Sequence, residues 1–167
     1  MMQRTLALFA ALALAACATP AAAPPNNPAA QSAAIVRLLE TPCYFRCPSY
    51  EIELRPDGSY RYLGRDNVLV QGERTGNLGP EAWKKAQAAF TRAHFDAMPE
   101  HAMPDDHGLA GGVPCINDLP GAEFTRRSAD GAEKKVAFNT GCNVPDARVL
   151  LGDLRAVFPL GELVGRP

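Results

Sequence analysis

The stretch Cys43-Tyr44-Phe45-Arg46-Cys47-Pro48-Ser49-Tyr50 decides the fold of this chain, because it joins two runs that each have the pattern of a β-strand. An apolar run at 35–39 precedes it, and a run at 50–54 follows it. In the second run apolar and charged residues alternate strictly, which indicates a strand with one buried and one solvated face. We therefore expect the cysteine loop, residues 43–47, to fix how the first two strands of a sheet meet.

The residues after this point predict an antiparallel meander. Pro56, Asp57 and Gly58 form a turn signal, since proline presets φ and glycine accepts a positive φ. A third strand is predicted at 60–63, and a fourth from 68 to about 75. Four consecutive strands joined by short turns are typical of a sheet in which neighbours in sequence are neighbours in space.

Downstream, the pattern changes to a helix, a hairpin and a second helix. The first helix begins at Pro80, and its apolar stripe recurs at helical spacing: Trp83, Ala86, Phe90 and Ala93. Strands at 123–127 and 134–138 pair across a turn with Asp130-Gly131. The second helix is capped by Asn143 or by Pro145-Asp146, has an inner stripe of Val149 or Leu150, Leu154, Val157 and Phe158, and leaves 160–164 as a short tail. The predicted fold class is α+β, an antiparallel sheet of about five to six strands (meander plus hairpin) with two helices packed on one face.

The N-terminal segment predicts export and lipidation. Residues 1–16 have a basic start and an apolar run at 6–14, which is too short to span a bilayer and is typical of a signal peptide. Leu14-Ala15-Ala16-Cys17 resembles the lipobox of bacterial lipoproteins, which implies that Cys17 is acylated and holds the chain on the membrane. Ala18 implies the outer membrane, with the protein facing the periplasm. The alternative is a secretory signal cleaved nearby, with Cys17 incidental.

Composition divides the remainder into a linker and one domain. Residues 17–33 combine the lipidated cysteine with a Pro/Ala-rich linker that has no charged, aromatic or large aliphatic side chain, so it cannot offset the entropy cost of folding. Residues 34–167 have the length and composition of a single α+β domain. The formal net charge of −1 gives no electrostatic footprint for nucleic acid.

The four remaining cysteines predict two disulfides, because an even number in an exported protein favours a disulfide framework. Three connectivities exist, and we prefer Cys43–Cys47 with Cys115–Cys142, since the first ring is short and the second pair brackets the predicted hairpin. A redox-active Cys43–Cys47 pair and a four-thiolate zinc site are the alternatives. Neither spacing fits those sites well.

One long loop, residues 99–114, carries the weak metal-ligand candidates His101, Asp105, Asp106 and His107. Imidazoles and carboxylates suit Zn²⁺ or Cu²⁺. Small polar residues are also what any exposed loop contains, so we expect no metal and no cofactor here. We likewise expect no catalytic residue, because no serine has a nucleophile motif around it and the Gly-rich run at 108–112 lacks the features of a phosphate-binding loop.

The chain resembles an uncharacterised bacterial lipoprotein domain family that opens with Cys-Tyr-x-x-Cys-Pro-x-Tyr. The resemblance spans roughly 35–158, with Phe45 at a place where the family commonly has glycine. The matching segments are Cys43 to Tyr50, Asp57-Gly58, Tyr62-Leu63-Gly64 and Gly141-Cys142. The family has no established activity, so the resemblance implies a domain and not a function.

Together these features predict a lipid-anchored cell-envelope protein that is a non-catalytic binding or structural module. Its candidate binding tip is Tyr44, Phe45 and Arg46, which a closed cysteine loop displays rigidly. The expected partners are the membrane, through the N-terminal lipid, and another envelope protein, but not nucleic acid. The alternatives are a metal-binding or thiol-redox envelope protein and an inhibitor of an envelope enzyme.

Overall fold

The computed structural model describes residues 33–102, 109–110, 113–116 and 118–165. The predicted signal peptide, Cys17 and nearly all of the linker lie outside these residues, as do Asp105, Asp106 and His107. Within the described part of the chain, no helix is long and apolar enough to cross a membrane.

Six antiparallel strands form the main sheet, in the order β4-β3-β2-β1-β8-β9. Their bounds are β1 Ile35–Glu40, β2 Ser49–Leu54, β3 Ser59–Asp66, β4 Gly72–Asn77, β8 Gly121–Arg127 and β9 Glu133–Asn139. A two-residue strand, β5 (His101–Ala102), adds to β9 in the parallel direction. The meander and the hairpin are both present, so the predicted α+β class is confirmed.

Two predictions about the strands were wrong. The fourth strand begins at Gly72 and not at 68, because the amides of Leu69 and Val70 donate to the carbonyl oxygens of Val164 and Leu163, at 3.2 and 2.9 Å. Those donors are therefore not available to β3. The segment 99–114 is not free of regular structure either, since it contains β5 and two short paired strands, β6 (Leu109–Ala110) and β7 (Val113–Pro114).

In the described part of the chain three α-helices accompany the sheet: α1 Pro80–Arg92, α2 Pro145–Val157 and α3 Leu160–Leu163. The apolar faces of α1 and α2 share one core cluster with alternate residues of the strands, in which Phe90, Phe124 and Phe138 are fully buried. The inner stripe of α2 contains Leu150, while Val149 is exposed. The predicted tail at 160–164 is instead the short helix α3, whose end supplies the carbonyl oxygens that hold the β3–β4 connection.

The opposite face of the sheet is covered by a network of half-buried ion pairs. Arg37 lies near its centre, 3.8 Å from a carboxylate oxygen of Glu51, 3.6 Å from one of Glu123, and 3.0 Å from the hydroxyl of Thr125. The long side chains of these ion pairs therefore cover this face of the sheet in place of a second layer of helices.

The two ends of the sheet differ in character. At the turn end, β1 begins and two tight turns join β2 to β3 and β8 to β9. At the other end lie the connections 41–48, 67–71, 115–120 and 140–144, which we call the disulfide end because both disulfides are found there.

Candidate binding site at the disulfide end

The cysteine loop closes through the Cys43–Cys47 disulfide and displays its three central side chains to solvent. Tyr44 is 82% exposed and Phe45 77%, and their rings contact edge to face with centroids 5.3 Å apart. Arg46 is exposed beside them. The amide nitrogen of the Asn67 side chain donates to the Cys47 carbonyl oxygen at 3.2 Å, which joins the cysteine loop to the β3–β4 connection.

The second disulfide, Cys115–Cys142, joins the segment before β8 to the segment after β9. Beside it, the amide of Ile116 donates to the Gly141 carbonyl oxygen at 3.2 Å. The preferred connectivity is therefore confirmed. Both disulfides constrain loops at the same end of the sheet, and neither crosses the core from end to end.

The disulfide end carries most of the exposed apolar surface. Among the residues that the structure describes, six large apolar side chains are exposed, and all but Val149 lie on connections at this end. The five are Tyr44, Phe45, Leu69, Ile116 and Leu119. Exposed apolar side chains concentrated in one place mark a contact site more often than scattered ones do.

A buried polar cluster lies beneath these loops. Glu40 is on the buried face of β1 and only 2% exposed, and it receives a hydrogen bond from the hydroxyl of Tyr50. Arg155 of α2 donates two hydrogen bonds to the same carboxylate, from Nε to Glu40 Oε1 at 2.8 Å and from Nη2 to Glu40 Oε2. A carboxylate that is buried this deeply needs such partners, since an unpaired buried charge is costly.

The electrostatics of the cluster favour a permanent ion pair. The hydrogen bond to Glu40 raises the pKa of Arg155 above its ordinary value, so the guanidinium stays charged. Burial raises the pKa of the Tyr50 hydroxyl far above its ordinary value, and the negative charge of Glu40 adds to this. Tyr50 therefore remains a neutral donor, and the geometry is suited to holding position rather than to proton transfer near neutral pH.

A pocket of about 260 Å³ opens above this cluster. Its wall is mostly apolar, and its floor is formed by Glu40, Tyr50 and Arg155. The remaining lining residues are Pro48, Leu160, Gly161, Val164 and Gly165. Pro48 follows the cysteine loop directly, and Leu69 lies against Gly165, so the pocket adjoins the cysteine loop and the β3–β4 connection.

A second pocket, of about 360 Å³, lies on the other side of Arg155. Arg148 and Arg155 both line it, two turns apart on α2. The Arg148 guanidinium is hydrogen-bonded to the carbonyl oxygens of Thr140 and Cys142, at 2.6 and 3.1 Å. Among the described residues the Arg148 charge therefore has only neutral acceptors, whereas Arg155 is paired with a carboxylate.

Of the metal-ligand candidates, His101 is described by the structure, and it is not part of this surface. His101 is an exposed residue of β5, at the far edge of the sheet beside β9. Asp105, Asp106 and His107 lie outside the described residues. Over the ranges that the structure describes, no three His, Cys, Asp or Glu side chains are grouped to hold a metal ion.

A family model described as a domain of unknown function, DUF6438, matches residues 34–153. The chain belongs to this family. No curated protein matches the chain significantly. The matched range of the DUF6438 domain contains both disulfides, Glu40 and Tyr50, but it ends two residues before Arg155.

The sequence of this DUF6438 domain did not lead us to predict three parts of the site. Glu40 could have been found, because it continues the alternation of Val36 and Leu38 and so places a carboxylate on the buried face of β1. Arg155 gives no such signal, since an arginine near the end of a helix is usually solvated. The pairing of Leu69 with the end of α3 depends on residues nearly a hundred positions apart.

Proposed function

We propose that this protein is a lipid-anchored, non-catalytic binding module of the bacterial cell envelope, and that its disulfide end contacts another envelope protein. The observation that carries the proposal is the concentration of exposed apolar side chains at one end of the sheet, most of them on connections that contain a disulfide. Side chains that are already held in place lose little conformational entropy on binding, so they favour contact.

The cysteine loop provides the centre of the proposed contact. Tyr44 and Phe45 add large apolar area, and Arg46 adds a cation that can form hydrogen bonds or stack on an aromatic ring. Tyrosine and arginine are enriched among the residues that dominate binding energy at interfaces. The tip thus combines rigid apolar contact with one directional charged group.

The position of the N-terminus supports a contact at the disulfide end. β1 begins at Ile35 at the turn end, which is the end opposite the cysteine loop. If Cys17 is acylated, the sixteen residues at 18–33 join the lipid to the turn end. The disulfide end then points away from the membrane to which the protein is anchored, towards partners in the periplasm.

In-cell photo-crosslinking tests the proposal. A benzophenone amino acid at position 45 is expected to yield a specific crosslinked protein. The same group at Ala129, an exposed residue in the β8–β9 turn, is the matched control and is expected to yield none. Equal crosslinking from both positions, or none from positions 44, 45 and 69, would contradict the proposal.

The identity and activity of the captured protein separate the two kinds of binding module. If the captured protein is an enzyme whose activity falls when this protein is added in equimolar amount, this protein is an inhibitor. If the captured protein is a structural envelope protein, this protein is a scaffold.

Metabolic labelling with a palmitate analogue tests the lipid anchor, since Cys17→Ser abolishes the label only if that cysteine is acylated.

A further inference from the structure

We propose that the 260 Å³ pocket at the disulfide end binds a small amphiphilic monocarboxylate, with its apolar part inside the pocket and its carboxylate on Arg155. This goes beyond the proposed contact with an envelope protein, because the pocket lies beneath the loops and its ligand is recognised by different side chains.

The size and wall of the pocket fit a short apolar body. A cavity of about 150 Å³ lined by apolar side chains holds one benzene molecule, so a pocket of 260 Å³ has space for roughly ten carbon atoms. Apolar contact is provided by Leu160, Val164 and Pro48. Gly161 also lines the pocket and takes up no space in it, because glycine has no side chain. An apolar chain gains free energy by leaving water for such a wall.

The floor of the pocket offers a donor and no accessible charged acceptor. The Glu40 side chain is 3% exposed and its two oxygens are already hydrogen-bonded, while the Arg155 side chain is 43% exposed. Within the described residues, two of the five N–H donors of Arg155 bond Glu40. Further N–H groups of this exposed guanidinium can therefore donate to a ligand oxygen at the mouth of the pocket.

The surrounding charge favours an anion over a neutral or cationic head group. Arg148 and Arg155 face the same adjoining space, and Glu40 balances only one of them. A carboxylate at Arg155 also lies within the field of Arg148. An ammonium head group would meet two guanidinium groups instead, so the site is expected to reject it.

Two glycines make the placement of the ligand testable. A Cβ added at Gly161 meets no heavy atom within 4 Å, and the same holds for Gly152. Gly161 lines the 260 Å³ pocket, whereas Gly152 lines the second pocket on the other side of Arg155. Gly161→Leu therefore fills the proposed site, and Gly152→Leu is a matched helical control that leaves it open.

The experiment measures binding of octanoate, 1-octanol and octylamine to the full chain carrying Cys17→Ser, by isothermal titration calorimetry. Octanoate is expected to bind with a dissociation constant of roughly 0.1 to 1 mM, as suits a ligand of about ten heavy atoms. Octanol is expected to bind at least fivefold more weakly, and octylamine not at all. Gly161→Leu weakens octanoate binding at least tenfold, and Gly152→Leu changes it by less than twofold.

Several outcomes would overturn the proposal. If all three probes bind equally, the pocket has no preference for a carboxylate. If octanoate does not bind, the proposed ligand is wrong. If Gly152→Leu weakens octanoate binding as much as Gly161→Leu does, the proposed binding site is wrong.

Denaturant unfolding of both glycine variants shows that they are folded. Arg148→Gln is expected to weaken octanoate binding twofold to fivefold without affecting octanol binding. Phe45→Ser leaves octanoate binding unchanged, so this proposal and the proposed protein contact fail separately.

Discussion

Arg155 of α2 holds the buried carboxylate of Glu40, a residue 115 positions earlier in the chain, with two hydrogen bonds. The carboxylate also accepts a hydrogen bond from the Tyr50 hydroxyl, so β1, β2 and α2 meet at one polar cluster beside the apolar core. This contact positions both pockets of the disulfide end.

Arg155→Met is expected to lower the free energy of unfolding by about 2–3 kcal/mol. This is less than the roughly 3–5 kcal/mol for a fully buried pair, because Arg155 is 43% exposed and water replaces part of what Glu40 loses. Urea unfolding measures the change.

The combined variant Glu40→Gln with Arg155→Met is expected to recover at least about 1 kcal/mol of the lost unfolding free energy, since it removes the uncompensated charge. Arg92→Met, which breaks the exposed Arg92–Asp153 pair, is the control and costs about 0–1 kcal/mol. A purely additive Glu40 and Arg155 cycle would refute the coupling.

The two disulfides are expected to differ in what their loss changes. Replacing Cys115 and Cys142 by alanine lowers the free energy of unfolding by about 3.6 kcal/mol, because their loop spans 27 positions, whereas the short ring of Cys43 and Cys47 contributes about 2 kcal/mol. Only the replacement of Cys43 and Cys47 is expected to abolish crosslinking from position 45 while the protein stays folded. Denaturant unfolding and crosslinking yield are compared for the same variants. Crosslinking that survives the loss of the Cys43–Cys47 ring would show that its rigidity is not required.

Two glycines with similar backbone angles are expected to respond differently to alanine. Gly58 has φ +82°, and an added Cβ would lie 2.2 Å from the carbonyl oxygen of Gly79. Gly72 has φ +77° and open space around its Cβ. Gly72→Ala therefore costs only the left-handed conformation, about 1–2 kcal/mol, and Gly58→Ala costs at least about 1 kcal/mol more because the β4–α1 connection must move. Thermal unfolding of both variants tests this, and equal losses would contradict it.

Acid is expected to weaken the two tight turns at the turn end. Hydrogen bonds from the hydroxyl and amide of Ser59 lower the pKa of Asp57, and those from the Ser128 hydroxyl and the Ala132 amide lower the pKa of Asp130. A folded-state pKa below the unfolded value of about 3.9 stabilises the protein above that pH, and this contribution is lost as the pH falls through the folded-state pKa.

The test is the urea midpoint at pH 7 and at pH 3. Asp57→Asn combined with Asp130→Asn is expected to lose less stability than the unchanged chain between these pH values. Glu81→Gln is a useful comparison, because its pKa is lowered by Lys84 on the surface of α1 and not within a turn. An identical acid loss with and without the two turn aspartates would refute their role.

Most of the local structure could be predicted because it depends on neighbours in the sequence. Alternation at 50–54 predicted β2, and Pro80 predicted where α1 begins, whereas two caps were offered for α2, whose N-cap residue is Val144. The two disulfides could be ranked because one ring is short and the other brackets a hairpin. The fourth strand was misplaced because Val68, Leu69 and Val70 have the composition of a strand, while their donors are taken by the distant end of α3.

The sequence by itself therefore determined the α+β class, the meander, the hairpin, the helix faces and the exposed character of the cysteine loop, because these depend on periodicity, turn residues and ring size. Only the tertiary structure decided that Glu40 would meet Arg155, and that the cysteine loop, the β3–β4 connection and α3 would surround one pocket. Those contacts join residues 20 to 115 positions apart, and no local pattern encodes which distant donor a buried carboxylate or a free amide will find.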